Sequence, residues 1–293
     1  MAMNEGHGMQ PSGVWALKPS ADMTAEEFHD WQALLERRTG QVLNEQRRSF
    51  LLTHLNSRMR ELGIGDYQGY YQQLISGPRG AVEWSRLLDR LTVQETRFYR
   101  HLPSFELLDR YLQQHLAQKA APWALWSMGC ASGEEAYSLA IAAAEVERRT
   151  GHTQGFGVIA TDISLGALAK AREGVFDPRR LQALEPELRD RYFTAEPRGQ
   201  RIHPDLVARV CCARLNVLDL DLAPWTGMDV IFCQNLLIYF RRWRRRDILN
   251  RLAERLAPGG LLVVGVGEVS GWQHPDLEPV ADEGVLAFTR KRL

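Results

Sequence analysis

The residues best suited to chemistry in this sequence sit just beyond short apolar runs. The first group is Gly129-Cys130-Ala131-Ser132-Gly133-Glu134-Glu135. Glycines in a strand-to-helix turn let a ligand approach the backbone, and the first helical turn offers unpaired N–H groups. The spacing is not G-x-G-x-x-G, so the dinucleotide-pyrophosphate fingerprint is absent. Two glutamates at the start of a helix would repel a phosphate. They suit a ligand with cationic or hydroxyl-rich parts, although one of them is equally explained as complementing the helix dipole.

Three further strand ends carry polar tips. Thr161-Asp162 closes GFGVIATD, and its carboxylate either accepts hydrogen bonds from both hydroxyls of a ribose or caps the next helix. Asn216, soon followed by Asp219, and Asn235, at the end of MDVIFCQN, occupy the other two. Carboxylates and amides at adjacent strand ends fit a nucleoside-like ligand without phosphates, and S-adenosylmethionine is the common cofactor of that description. Ahead of them runs VQETRFYRHLPSF, residues 93–105, polar and aromatic together. Such a junction between domains is a place where a pocket forms and a segment closes over a cofactor. No metal site is expected: Cys130, Cys211, Cys212 and Cys233 form no C-x-x-C pair, and no His or Cys stands at zinc-finger spacing from them.

Bringing these tips together requires a parallel sheet. After Ala121-Pro122, WALWSMG, GFGVIATD, MDVIFCQN and GLLVVGVG alternate with helical segments around 134–149, Leu168 and 246–256, and VLAFTRK supplies a last strand. Strands alternating with helices imply an α/β doubly wound domain whose ligands bind at the carboxyl ends of the strands. Between them, RYFT, RIHP and LVARVCC read as a small antiparallel insertion at about 175–212. The front of the chain is helical instead. Thr24 and Glu27 form a capping box, and Phe28, Trp31, Leu34 and Leu35 share one face, with Gly40 placed to end the helix. Leu52, Leu55, Met59 and Leu62 line a second helix. Tyr67, Tyr70, Tyr71 and Leu74, then Trp84, Leu87, Leu88 and Leu91, repeat at helical spacing on either side of Gly77-Pro78. The expected organisation is a flexible tail over 1–20, a helical domain over 21–92, a linker and connecting helix over 93–120, and the sheet domain over 121–293.

Lys+Arg and Asp+Glu both number 36, so the formal net charge is zero. That balance argues against a nucleic-acid binder, despite the arginine cluster FRRWRRR at 240–246. No stretch of about 18 apolar residues occurs, so no membrane insertion is expected, and the first twenty residues lack a signal-peptide core. A cytoplasmic monomer is expected.

Taken together, these motifs resemble the chemotaxis-receptor glutamate methyltransferases, the CheR-type family, from about Asp22 to the C-terminus. Several motifs in register make the likeness specific. It implies a class I S-adenosylmethionine methyltransferase fold with a small N-terminal helical bundle. The implied activity is methyl transfer from S-adenosylmethionine to glutamates on the cytoplasmic domain of methyl-accepting chemoreceptors. The resemblance further implies that Gln94, Thr96 and Arg100 contact the cofactor, with Gly129 in the glycine turn. Glu134 faces the cofactor's methionine end, Asp162 holds the ribose, and Asn216, Val217, Asn235 and Leu236 line the adenine side. Tyr239 and Arg100 become the catalytic pair beside the transferred methyl, and Glu268 belongs to the closing motif. Gln94 replaces the family's usual Asn, Gln234 a common Arg, and Val266 a frequent His. Two alternatives stay open: a methyltransferase for another substrate, suggested by RRWRRR and the general sheet, or a weakened homologue that senses cofactor or receptor, suggested by Gln94 and Gln234. On the second helix, Arg47, Arg48, Arg58 and Arg60 form either a solvated face or, with Arg47 and Arg58 foremost, a docking face for an acidic receptor helix.

Overall fold

The computed structural model describes residues 22–115, 121–151 and 154–292, so the tail expected over 1–20 lies outside the described residues. Helices α1 (Ala25–Thr39), α2 (Arg48–Leu62), α3 (Tyr67–Ile75) and α4 (Gly77–Leu91) come first. Helix α1 begins where its sequence dictates. Thr24 Oγ1 accepts the Glu27 N–H at 3.1 Å, and the Glu27 carboxylate accepts the Thr24 N–H at 2.8 Å. The aromatic stripes close the bundle: the ring of Trp31 meets Tyr70 and Tyr71 at centroid distances of 5.7 and 5.5 Å.

Helix α2 departs from the expected pattern. Leu51, Leu55 and Met59 carry its core face, while Leu52 and Leu62 are only partly buried. Arg58 is part of that face, with 7% of its surface exposed, and so offers no charge to a docking partner. Its Nε donates to Glu83 Oε1 at 2.8 Å, its guanidinium also pairs with Glu61, and the Tyr70 hydroxyl donates to Glu83 at 2.7 Å. The spacing of Arg58 from Leu51 and Leu55 aims it inward, and the carboxylates of Glu83 and Glu61 make that tolerable. Its hydrogen bonds to Glu83 raise the Arg58 pKa further above its ordinary value.

Helix α5 (Leu102–His115) leads into the sheet domain. There β1 (Trp123–Met128), α6 (Glu134–Thr150), β2 (Phe156–Asp162) and α7 (Leu165–Glu173) follow one another, then β3 (Val175–Phe176), α8 (Pro186–Tyr192), β4 (Phe193–Glu196) and β5 (Gly199–Ile202). The chain continues through α9 (Pro204–Val207), β6 (Val210–Arg214), β7 (Met228–Cys233), α10 (Arg242–Arg255), β8 (Leu256–Val264), β9 (Leu277–Pro279) and β10 (Leu286–Arg290). Among the described residues the main sheet has the order β6-β2-β1-β7-β8-β10-β9, parallel from β6 to β8, with β10 antiparallel to β8. Alternate side chains of each strand serve opposite faces. Leu125, Val158 and Val230 join a core with residues of α5 and α6, whereas Trp126 and Ile231 join one with Ile248 and Leu252 of α10.

The antiparallel insertion is present, but its membership differs from expectation. Its order is β3-β5-β4, and the run LVARVCC lies outside it. Its Leu206 and Val207 end α9, and its Val210, Cys211 and Cys212 begin β6, which pairs parallel to β2 with Val210 opposite Val158. Helix α9 intervenes between β5 and β6, turning what looks like a third hairpin strand into a crossover. Helix α10 also starts at Arg242, earlier than the apolar periodicity indicates. No helix among the described residues is long and apolar enough to cross a membrane.

Breaking a buried ion pair leaves an uncompensated charge. Arg58→Ala should therefore lower unfolding free energy by about 3 kcal/mol in urea titration. Arg60→Ala, on the exposed side, should change it by less than about 0.5 kcal/mol. Equal effects would contradict the inward orientation of Arg58.

Candidate functional site

Strand order reverses between β1 and β7: from β1 the chain moves outward through β2 and β6, and from β7 it moves the other way through β8. Beyond the carboxyl ends at this switch point lie two adjoining cavities. Thr96, Arg100, Phe105, Glu135, Gln234 and Ile238 line the larger, of about 200 Å³. Thr39, Gln41, Gln94, Asp162, Asn216, Val217 and Leu236 line the smaller. Val93, Gly129, Ala131, Asn235 and Tyr239 belong to both walls, so the two are lobes of one site.

The turn after β1 needs its glycines. Gly129 has φ 75°, and a Cβ there would lie 3.2 Å from both methyls of Leu236. At Gly133, with φ 99°, a Cβ would meet that of Ala171 at 2.8 Å. Among the described residues, three others hold positive φ without being glycine: Tyr99 (48°), Ala131 (47°) and Asn235 (57°). Two of them wall both lobes, and the third lies in the linker. Asparagine tolerates this conformation better than most, and unfavourable backbone of this kind gathers at functional sites.

Asp162 is clipped from two sides. Its Oδ2 accepts the Ala131 N–H at 2.9 Å and its Oδ1 the Ser164 N–H at 2.8 Å. Burial raises its pKa, and those backbone donors oppose the rise. Each oxygen keeps acceptor capacity for a ligand hydroxyl. The cap of α7 is Ser164, whose Oγ accepts the Ala167 N–H at 3.0 Å. Gln94 Nε2 donates to the same Oγ at 3.2 Å, fixing the linker over this lobe.

The loop after β7 hangs on Glu268, which is 2% exposed. Its carboxylate accepts the N–H groups of Gly265 at 3.2 Å and Ile238 at 3.4 Å. Burial raises its pKa, while backbone donors of Ile238, Gly265 and Asn235 hold it down. Gln234 turns away from the sheet and donates to Ser104 Oγ of α5 at 2.9 Å. Tyr239 is half-buried, and its carbonyl accepts the Val42 N–H at 2.8 Å. Burial raises its phenol pKa against the pull of Arg47 and Arg100, so it stays protonated at neutral pH. Arg100 Nη1 donates to the Glu95 carbonyl at 2.8 Å, curling the linker so that the guanidinium joins the cavity wall.

The two adjacent glutamates part company. Glu134 lines neither lobe: it is 1% exposed, takes Arg180 Nη1 at 2.7 Å and accepts the Ser132 hydroxyl at 2.8 Å. Glu135 lines the larger lobe and accepts the Ser127 hydroxyl at 2.7 Å. Burial, reinforced by Glu268, pushes its pKa up to about 7, against the hydrogen bond from Ser127 and the charge of Arg100. Asn216 contributes a wall, but its amide is engaged elsewhere, donating to the Arg38 carbonyl at 2.8 Å and accepting the Leu218 N–H at 3.2 Å.

The sequence gives no sign that Thr39 and Gln41, from the end of α1, complete the smaller lobe. Among the described residues, no lysine or arginine lines that lobe, which offers Met128, Ile163, Val217 and Leu236 beside the clipped carboxylate of Asp162. An uncharged nucleoside fits that donor set, with a base against the apolar wall and ribose hydroxyls at Asp162. A cationic group attached to it would meet Glu135 in the next lobe.

The chain matches the family model "CheR methyltransferase, SAM binding domain" over residues 94–283 and the model "CheR methyltransferase, all-alpha domain" over residues 26–92. It is 35% identical over 246 residues to the chemotaxis protein methyltransferase of Klebsiella aerogenes, spanning 82% of each chain. To that of Escherichia coli strain K12 it is 33% identical over 246 residues, 82% of this chain and 83% of the other. To chemotaxis protein methyltransferase 1 of Pseudomonas aeruginosa it is 34% identical over 248 residues, 83% and 89% of the two chains.

The raised pKa of Glu135 has a stability consequence with a definite sign. In the unfolded chain the carboxyl ionises near 4.5, but in the folded chain only near 7. Stability is therefore fully present below 4.5 and is lost as pH rises towards and through 7. Glu135→Gln should remove that loss, gaining on the order of 2 kcal/mol over wild type by about pH 8, part of the charge being solvated at the cavity wall. Urea titrations of the ligand-free proteins from about pH 4 to 8 check this. A constant offset between the two curves would contradict it.

Proposed function

The chain belongs to the CheR methyltransferase family, and from that premise we propose that it methylates glutamate side chains on the cytoplasmic helices of chemoreceptors, yielding glutamyl methyl esters for chemosensory adaptation. The observation that carries this reading is the wall shared by the two lobes. Arg100 lines the larger lobe, Asp162 lines the smaller, and Tyr239 stands in the wall common to both. The setting is the cytoplasm, with the protein acting as a monomer.

Bound S-adenosylmethionine supplies an electrophilic methyl on a sulfonium centre. Asp162 takes the ribose hydroxyls, the apolar wall from Val217 to Leu236 takes the adenine, and Gln94, Thr96 and Gly129 border the ligand. Glu135 faces its cationic end, a role that falls to Glu135 because Arg180 already occupies Glu134. A glutamate side chain is ionised near neutral pH, so no general base is needed to make the nucleophile. What remains is to desolvate and aim it. The Arg100 guanidinium can hold a carboxylate through two N–H groups, leaving one oxygen lone pair directed inward. Tyr239, kept protonated, donates a hydrogen bond at the same place and does not act as a base. Phe105 and Ile238 exclude water around the pair. Orientation of this kind is worth about 7 kcal/mol of barrier.

Loss of one aiming group should cost rate and not cofactor affinity. Arg100→Ala should lower methyl transfer to a chemoreceptor cytoplasmic fragment about 100-fold. Tyr239→Phe should lower it about tenfold, with S-adenosylmethionine affinity within a few-fold of wild type in both. Transfer rates and calorimetric binding measured side by side check this. Undiminished turnover in both variants, or no transfer by wild type, would reject the proposal.

A further inference from the structure

A further cleft of about 320 Å³ is lined by Arg242, Arg245, Arg246, Gly267, Glu268 and Ser270, and the Glu268 carboxylate accepts the N–H of Ile238, which walls the larger lobe. Arg245 ties this cleft to the cavity mouth. It donates from Nε to the Phe240 carbonyl at 2.8 Å, from Nη1 to the Glu268 carbonyl at 2.8 Å and from Nη2 to the Ile238 carbonyl at 3.3 Å. Ile238 in turn walls the larger lobe, so cleft and cavity share one partition.

The other arginines of this stretch divide into two kinds. Arg241 pairs with Glu36, and Arg244 pairs with Asp247. Arg242 and Arg246 have no hydrogen-bond or ion-pair partner among the described residues, and both are exposed. They stand four residues apart on α10, on one face of the helix. In a chain of zero net formal charge, two uncommitted cations lining one cleft are a local excess. Beside them, Ile238 is 50% exposed and Val266 59% exposed.

We propose that Arg242 and Arg246, with Ile238 and Val266, form a docking rim for the substrate polypeptide: an amphipathic helix whose acidic side chains flank the glutamate being methylated. This rests on the reading of the larger lobe as a glutamate-methylating site. Charge complementarity selects the occupant. A helix bearing carboxylates one turn apart presents them at about 5–6 Å, matching two arginines at the same spacing. Apolar side chains of that helix cover Ile238 and Val266 while its target carboxylate enters the cavity. The rim thus acts on encounter and register, and Arg100 on the reacting group.

Kinetics of methyl transfer from radiolabelled S-adenosylmethionine to a soluble chemoreceptor cytoplasmic fragment test this in the full chain. Arg242→Glu with Arg246→Glu should raise KM for the fragment about tenfold, with kcat within about twofold. The gap should narrow as salt is added, and Arg242→Lys with Arg246→Lys should restore most of the wild-type KM. Cofactor affinity should stay at its wild-type value in every variant. An unchanged KM in the double reversal, beside an active wild type, overturns the rim alone. A loss of cofactor affinity also overturns it, because the arginines would then act through Glu268 on the pocket. Salt-sensitive binding of a single-stranded RNA oligonucleotide that the reversal abolishes, with KM for the fragment unchanged, reassigns the cations and likewise overturns it. A wild type that transfers no methyl to the fragment rejects the underlying reading of the cavity instead.

Discussion

Where β7 ends, the chain passes through an asparagine in left-handed conformation and doubles back to Tyr239, and the buried carboxylate of Glu268 holds that turn. A charge so placed is costly unless it is fully hydrogen-bonded. Here the Ile238 N–H of that turn and the Gly265 N–H just past β8 bond it, so the carboxylate links the two loops. Leu236 faces the smaller lobe because of it, and Asn235 and Tyr239 face the junction of the lobes. The Glu268 carbonyl also anchors Arg245, which sets the start of α10 against the same partition. Glu268 therefore contacts the cavity wall through its carboxylate and the start of α10 through its carbonyl.

The site also depends on the helical front. The Val42 N–H bonds the Tyr239 carbonyl, the Asn216 amide bonds the Arg38 carbonyl, and Gln41 bridges to Phe240. Asp89 of α4 accepts the Ser164 hydroxyl at 2.7 Å, bracing the loop that presents Asp162. The bundle is thus one wall of the binding site. A ligand in the smaller lobe touches both parts of the chain at once, and its binding should stiffen the junction between them.

Much of this was legible in the sequence because it obeys local rules. Apolar runs ending in polar tips marked β1, β2 and β7 and placed Gly129, Asp162 and Asn235 where the structure has them. The capping box at Thr24 and the aromatic stripes of α3 and α4 needed only helical spacing. What escaped depends on contacts between residues far apart in the chain. Arg58 reads as a surface charge until Glu83, 25 residues on, is seen to face it. Glu134 and Glu135 are equivalent on paper, and only Arg180 of the insertion and Ser127 of β1 assign one to an ion pair and the other to the cavity. LVARVCC has strand composition throughout, but its first residues close the short helix α9 and only its end joins the main sheet. Thr39 and Gln41 carry no signal at all, since their role comes from where the bundle docks.

The central claim is that a carboxylate is the methyl acceptor, and the lability of the product tests it directly. A glutamyl methyl ester releases its methyl group as methanol in mild alkali, whereas methylated nitrogen or carbon does not. Purified protein, radiolabelled S-adenosylmethionine and receptor-enriched membranes should yield protein-bound label that mild alkali converts to volatile methanol. Label that resists alkali, or that appears in nucleic acid or small molecules, would contradict it.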